Sequence, residues 1–460
     1  MSSAHIWIFT PLVIAVILLL LRRYIKLSNL ISIITAFILA ALAWLLPIGQ
    51  GFTLFGKNIL IPGEFFVVGR KFVIDPQNLS LIGLVYLALA FWYGATLFFE
   101  IDELFYPLSL TIVAMDVSAI SVKPFLYAAL AFGIVGLLSI FLLDQSKYSV
   151  RQGSIRLLTY QIIGMAFLLL AGRELDLFNP REFDINEAAL ALVFISGGII
   201  FLLGIFPFHS WIPMIAKNTN PYIAGFVFST LPGFMSLYIL NFILEFEWLR
   251  EIALFFDLLR IGGIVMLLFG GIWAAFQDDL RQLMGYAVLI EIGRSLIALS
   301  TQIEPTRYYA FYIPRLIGFG VWTLALYMLC KRKGSCDLLC IQGLAIKFPL
   351  LSLTLLIAIF SIAGVPLLAE FPIILSLSDL FNESHSIITI SLLVSSGGVL
   401  LAGLRILNTM VDFEKSDVNE EQGSKQLGLN ILLLLGSFAL LVMGIAPQWI
   451  YSMFERFLSL

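Results

Sequence analysis

Gly204-Ile205-Phe206-Pro207 cuts an apolar run that extends from residue 187 to 218, and Gly364-Val365-Pro366 cuts a second that extends from 346 to 381. Each run is longer than the roughly 20 apolar residues that cross a hydrocarbon core about 30 Å thick. Proline lacks an N–H and clashes with the preceding turn, so each run predicts a helix broken near its middle. In lipid the freed carbonyls must be satisfied by protein or by water in a cavity. One such break is often only a kink. Two breaks in corresponding positions predict two five-helix repeats, residues 105–244 and 253–411, of inverted topology, as in many transporters. The placement of the breaks carries this repeat; residue identity does not.

Working outward, comparable apolar windows recur from end to end. They fall at 5–22, 29–48, 78–99, 105–121, 124–143, 155–171, 220–244, 253–277, 280–300, 308–330, 386–411 and 428–447, besides the two broken runs. The reading is an all-α integral membrane protein of about 14 transmembrane helices, with broken helices seven and twelve. Residues 1–104 hold the first three spans and 428–460 the last. Composition agrees: 60% of the 460 residues are hydrophobic and 12% charged, against roughly 45–50% and 25% in soluble domains. A net charge of -3 gives no case for nucleic acid. Cys330, Cys336 and Cys340 share one polar loop without a nearby histidine, which predicts unremarkable cysteines and no metal.

Residues 51–75 do not span. Short apolar runs separated by Gly56-Lys57-Asn58 and Pro62-Gly63 predict a surface hairpin between spans two and three. The N-terminus reads as a first span and not as a cleaved signal, because Arg22, Arg23 and Lys26 follow it and no basic region precedes it. Loop lysines and arginines are denser on the side that carries Arg22, Arg156, Lys217, Arg281 and Lys331 than on the side that carries Lys57, Arg70, Lys71 and Lys123. The richer side is expected in the cytoplasm of a bacterial or archaeal cell, with both termini on the opposite side of an energy-transducing membrane.

The stretch Pro207-Phe208-His209-Ser210-Trp211-Ile212-Pro213, followed by Asn220-Pro221, resembles the signature of the proton-translocating, antiporter-like membrane subunits. That family includes the large membrane-arm subunits of complex I, the Mrp antiporters and the membrane-bound hydrogenases. Phe72-Val73-Ile74-Asp75, Asp279-Leu280-Arg281-Gln282-Leu283-Met284-Gly285-Tyr286 and Ala363-Gly364-Val365-Pro366 with Phe371 are similar to weaker family motifs. The resemblance covers nearly the whole chain and implies fourteen core helices.

It also implies a mid-membrane row of ionisable side chains for moving protons, and here this chain departs from the family. The span-five glutamate has no counterpart, since residues 124–143 contain no acid. Leu202 stands at the lysine position before the signature proline, Phe234 at the span-eight lysine, and Ile374 at the lysine or glutamate of span twelve. A buried lysine titrates readily because desolvation disfavours its charge, whereas leucine, phenylalanine and isoleucine hold no proton. The first repeat is therefore expected not to conduct by the family's design.

The second repeat keeps charge. Glu291 stands in span ten where the family has histidine, Arg294 one turn on, Arg315 after Pro314 in span eleven, and Glu370 beyond the span-twelve break. Buried charges at such depth are functional-site candidates. They read either as static ion pairs or as a relay. The four make a neutral set, and at least one arginine is expected within about 4 Å of a glutamate. Asp116 in span four either faces a cavity or caps packing near Ser118, and His209 is either a relay member or a donor to the freed carbonyls. No phosphate loop, nucleophile triad or haem or iron–sulfur ligand pattern appears, so no cofactor and no catalytic site of its own is expected. The resemblance implies a subunit of an NADH:quinone oxidoreductase or related complex, with other membrane subunits as partners. A non-conducting structural subunit, a free-standing cation/proton antiporter and a membrane partner of an inorganic-carbon-uptake complex are the alternatives.

Overall fold

The computed structural model describes residues 2–49, 51–54, 57–67, 69–74, 76–144, 151–177, 185–381, 386–412, 424–449 and 452. Among these, eleven helices are long and apolar enough to cross a membrane. They are span two (Ile25–Leu45), three (Asn78–Ala95), five (Phe125–Leu143), six (Gln152–Leu175), seven (Ala189–Asn218), eight (Pro221–Glu245), nine (Ala253–Ala275), ten (Leu280–Leu299), eleven (Pro305–Lys333), thirteen (Ser386–Val411) and fourteen (Leu427–Ile445). The shorter His5–Leu20 and Phe105–Ser121 are spans one and four. Span twelve is split into Pro349–Ile362 and Phe371–Asp379, which makes fourteen. A helix is the solution here because it satisfies every backbone group within the segment.

The two breaks are built alike. Gly204 takes φ +64° and Gly364 φ +73°, a left-handed conformation that costs a side chain-bearing residue. The amide of Gly204 donates to the carbonyl of Phe201 at 3.3 Å and that of Ile205 to Ile200 at 2.9 Å. The amide of Gly364 donates to Ser361 at 2.9 Å and that of Val365 to Phe360 at 3.0 Å. Both are Schellman caps with the same two bonds in the same register. After the first break the chain resumes through a 3₁₀ turn, Phe208–Ser210, into Trp211–Asn218.

Burial ranks the spans. All of the span-eight window is buried, and 83% of spans ten and eleven, against 28% of span fourteen and 33% of span six. Spans eight, ten and eleven thus form the central axis, and the poorly buried spans present their apolar sides outward. The second part of span seven packs on span ten, where a Cβ at Gly285 would meet the Ala216 Cβ at 2.9 Å. The first half of the molecule therefore leans on the helix that carries Glu291 and Arg294.

The loop after span two forms two hairpins where one was expected. β1 (Gly51–Leu54) pairs antiparallel with β2 (Lys57–Leu60), and β3 (Glu64–Val67) with β4 (Arg70–Val73). A third strand, β5 (Val122–Lys123), comes from the loop after span four and pairs Phe72 with Val122. The alternation that marks a strand is local, but the third partner lies about fifty residues away and leaves no local trace. Asp75 of the expected acidic motif lies outside the described residues. Cys330 and Cys336 are joined in a disulfide with Cα atoms 4.9 Å apart, and Cys340 is free and exposed. That corrects the expectation that all three cysteines are without a role.

Candidate functional site

The second half brings its charges to one place. Arg294 Nη1 donates to Glu291 Oε1 at 2.6 Å and lies 3.5 Å from Glu370 Oε2. The three side chains are at most 4% exposed. Glu291 and Arg294 are one turn apart on span ten, so the helix itself sets their pairing. Glu370 reaches them because the break in span twelve ends just before it. The other nitrogen of the fork, Arg294 Nη2, donates to the Ile362 carbonyl at 2.8 Å. In an unbroken helix that carbonyl would accept from residue 366, which is proline and has no N–H. One guanidinium thus answers two carboxylates and the carbonyl that the break sets free.

Arg315 is 3% exposed on the neighbouring span eleven. It pairs with neither glutamate: Nη1 donates to Ser295 Oγ at 2.7 Å and lies 3.5 Å from the Glu291 carbonyl. The expected approach of Arg315 to the carboxylates is therefore indirect, through span ten. Arg315, Glu370, Ser295, Tyr308 and Tyr312 line a cavity of about 20 Å³. Glu370 Oε1 and Arg315 Nε and Nη2 make no hydrogen bond. A polar hollow of that size fits about one water. Phe311 also lines this cavity, and it borders a second of about 740 Å³ with Thr301, Glu304, Arg307 and Ser376. Phe311 is thus shared by the vestibule and by the cavity that holds the buried charges.

The first half is different. Leu202 is 1% exposed, and a Cβ at Gly164 would meet its Cγ at 2.6 Å. Phe234 is also 1% exposed. Ile374 packs on the second break, where a Cβ at Gly364 would meet its Cδ1. Apolar side chains thus occupy Leu202 and Phe234 in the first half and Ile374 in the second, the three positions where the sequence resemblance implies an ionisable group. The Leu202 carbonyl at the first break accepts from Gln161 Nε2 of span six at 3.1 Å.

His209 is not that donor. Its ring stacks on Phe206 at 5.5 Å and sits edge-on to Phe269 at 4.6 Å, and its Nδ1 has no hydrogen-bond partner. It lies apart from the charged cluster. Asp116 is fully buried in span four, and neither of its carboxyl oxygens has a partner. Sequence reasoning missed Gln161, Ser295, Tyr308, Phe311 and Tyr312. One signal was present: 308, 312 and 315 recur at helical spacing on span eleven and so share a face.

A family model described as NADH:quinone oxidoreductase/Mrp antiporter, transmembrane, matches residues 123–401. The chain is 29% identical over 269 residues to NADH-quinone oxidoreductase subunit N of Francisella tularensis subsp. holarctica, covering 56% of this chain and 53% of that protein. The match thus spans about half the length of that relative. In fold it is similar to a chain of the Mrp complex from Dietzia sp., with TM-score 0.82, 16% identity, and 99% and 96% of the two chains covered. It is also similar to a chain of respiratory complex I from Thermus thermophilus, with TM-score 0.75, 17% identity, and 96% and 98% covered.

Proposed function

We propose, since the chain belongs to the NADH:quinone oxidoreductase/Mrp antiporter transmembrane family, that it is an antiporter-like membrane-arm subunit of a complex I type NADH:quinone oxidoreductase or a related proton-translocating complex. Other membrane subunits are its partners. It sits in an energy-transducing membrane, the cell membrane of a bacterium or archaeon, with both termini on the non-cytoplasmic side. Its organisation is an N-terminal unit of residues 1–104, two inverted repeats at 105–244 and 253–411, and a last helix within 428–460.

The observation that carries this reading is the triad Glu291–Arg294–Glu370 buried at the span-twelve break. Glu370 is the group that gains and loses a proton: Oε2 lies 3.5 Å from Arg294, Oε1 has no hydrogen-bond partner, and the residue lines the small cavity. Glu291 keeps Arg294 in place by the shorter bond. Because arginine does not give up its proton, the carboxylates hold the exchangeable one. His209 is set apart from this path, and the first half has no lysine station at Leu202 or Phe234.

Tagging the chain and isolating it from its native membranes in mild detergent tests the assignment. Co-purification with further membrane subunits and NADH:quinone oxidoreductase activity is expected. Recovery of the chain alone, or with carbon-uptake partners, would replace this reading by one of the alternatives. Within the complex, Glu370→Gln should abolish NADH-driven proton uptake attributable to this subunit while the complex still assembles.

A further inference from the structure

The loop strands set two lysines side by side over a hollow in the first half. β4 and β5 are antiparallel, and Lys71 of one is the register partner of Lys123 of the other. Residues directly opposite in a sheet share a face, and like charges there repel. Both lysines line a cavity of about 520 Å³, together with Glu245 at the end of span eight. Their three side chains are 35–41% exposed, which marks this end as the mouth. Each lysine has one carboxylate: Lys71 Nζ lies 2.6 Å from Glu64 and Lys123 Nζ 2.9 Å from Glu245. An ammonium carries three N–H groups, so each keeps donors for a further anion.

Away from the lysines the walls are apolar. Leu168, Ala171, Gly172 and Leu175 line the cavity from span six, at the spacing of one helix face. Tyr238, Phe242 and Phe246 line it from span eight in the same way. The Tyr238 hydroxyl is engaged by the Phe125 carbonyl at 3.3 Å, so its phenol brings no free donor to the wall. Seven residues separate Leu168 from Leu175, and Tyr238 from Glu245, so both walls run about 10 Å along their helices. Walls of this kind give water no partners and suit hydrocarbon. The volume falls within the range of about 300–1,000 Å³ usual for small-molecule sites.

We propose that this cavity binds a phospholipid, with the phosphate between Lys71 and Lys123 and one acyl chain laid along spans six and eight. The two ends of the cavity match the two ends of an amphiphile. At the mouth, two lysines and Glu245 sum to one positive charge, which one phosphate neutralises. The same phosphate relieves the repulsion between the opposed lysines. A free phosphate would leave the apolar length unfilled, and a neutral amphiphile would leave the lysine pair unanswered. Basic pockets between transmembrane helices hold anionic headgroups in this manner. The site is built from β4, β5 and spans five to eight, apart from Glu291, Arg294 and Glu370, and it does not depend on the function proposed above.

The test uses the full chain, with whatever subunits accompany it, purified from its membranes in a neutral sugar detergent. The probe is a phosphatidylglycerol with a photoactivatable group on one acyl chain. Peptide mass spectrometry should place the crosslinks within residues 168–175 and 238–246. Lys71→Gln combined with Lys123→Gln should lower this labelling about thirtyfold, the weight of two basic side chains on an anionic headgroup. A diacylglycerol with the same photoactivatable chain should label the wild type as weakly. Ala171→Phe, which keeps both lysines, should block labelling by filling the hollow. Equal labelling by the two probes would overturn the role of the phosphate. Displacement of the phosphatidylglycerol by inorganic phosphate would overturn the lipid and leave a site for a free anion. Crosslinks that Ala171→Phe does not alter would overturn the cavity as the binding place. Should the double lysine variant not assemble, the two probes on the wild type and the Ala171→Phe variant decide.

Discussion

Arg294 caps Ile362. The 2.8 Å bond from its Nη2 to that carbonyl supplies the donor that Pro366 cannot, and it ties span ten to the break in span twelve. Since the same guanidinium compensates Glu291 and Glu370, its loss leaves two buried acids and one bare carbonyl. Arg294→Leu should therefore destabilise the protein by about 3–5 kcal/mol. Thermal unfolding in detergent reads this. A melting temperature unchanged from wild type would show that the cluster does not hold the bundle.

Replacing Glu291 and Arg294 together by Met and Leu should cost less than Arg294→Leu alone. The double change leaves one uncompensated buried acid, Glu370, and the bare Ile362 carbonyl, where the single change leaves two acids and the same carbonyl. A double variant less stable than the single one would contradict this.

The glycines at the breaks are not replaceable. Gly364→Ala forces a Cβ into the left-handed region at about 1–2 kcal/mol and against Ile374 Cδ1. Adding Ile374→Ala should recover the contact part of the loss and leave the backbone part. Full recovery of thermal stability by the second change would show that φ at 364 carries no cost.

Leu202→Lys should lower stability without creating proton transport. Leu202 fills the space above Gly164, and no acid stands in span five to answer a new charge. An unpaired buried ammonium costs several kcal/mol. Transport gained by this one change would mean that the first half already holds a working path of the family's design.

Phe311 lines both the 740 Å³ vestibule and the 20 Å³ cavity, and its ring is expected to be the barrier between them. In a Cys340→Ser background, Ser295→Cys should label slowly with a membrane-impermeant thiol reagent, and adding Phe311→Ala should speed the labelling. Equal rates with and without Phe311 would show that the ring is no barrier.

The fold was legible because its determinants are local. Apolar run length and the pairs Gly204/Pro207 and Gly364/Pro366 place the spans and both breaks without any tertiary knowledge. The charges of the second half were legible because charge within an apolar run stands out. Their partners were not. The choice of Ser295 for Arg315, and of Gln161 for the Leu202 carbonyl, depends on which helix faces meet, and the pairing of β4 with β5 on a contact across about fifty residues. Hydroxyls and phenols such as Ser295 and Tyr312 leave little trace in a chain that holds 15 tyrosines.

The twin Schellman caps carry a last consequence. Each leaves a helix end, with its fractional negative charge, in the middle of the chain's apolar depth. At span twelve a full cation, Arg294, faces that end; at span seven a neutral amide, Gln161, does. Alike in backbone, the two breaks are thus unlike as electrical objects. A membrane voltage does about 2.3 kcal/mol of work per unit charge per 100 mV, and it acts only on charge that can shift. Among the described residues, the charges buried at a break belong to span twelve and its neighbours, and because Glu291, Arg294, Arg315 and Glu370 sum to zero, an applied voltage acts on that set only when its net charge changes.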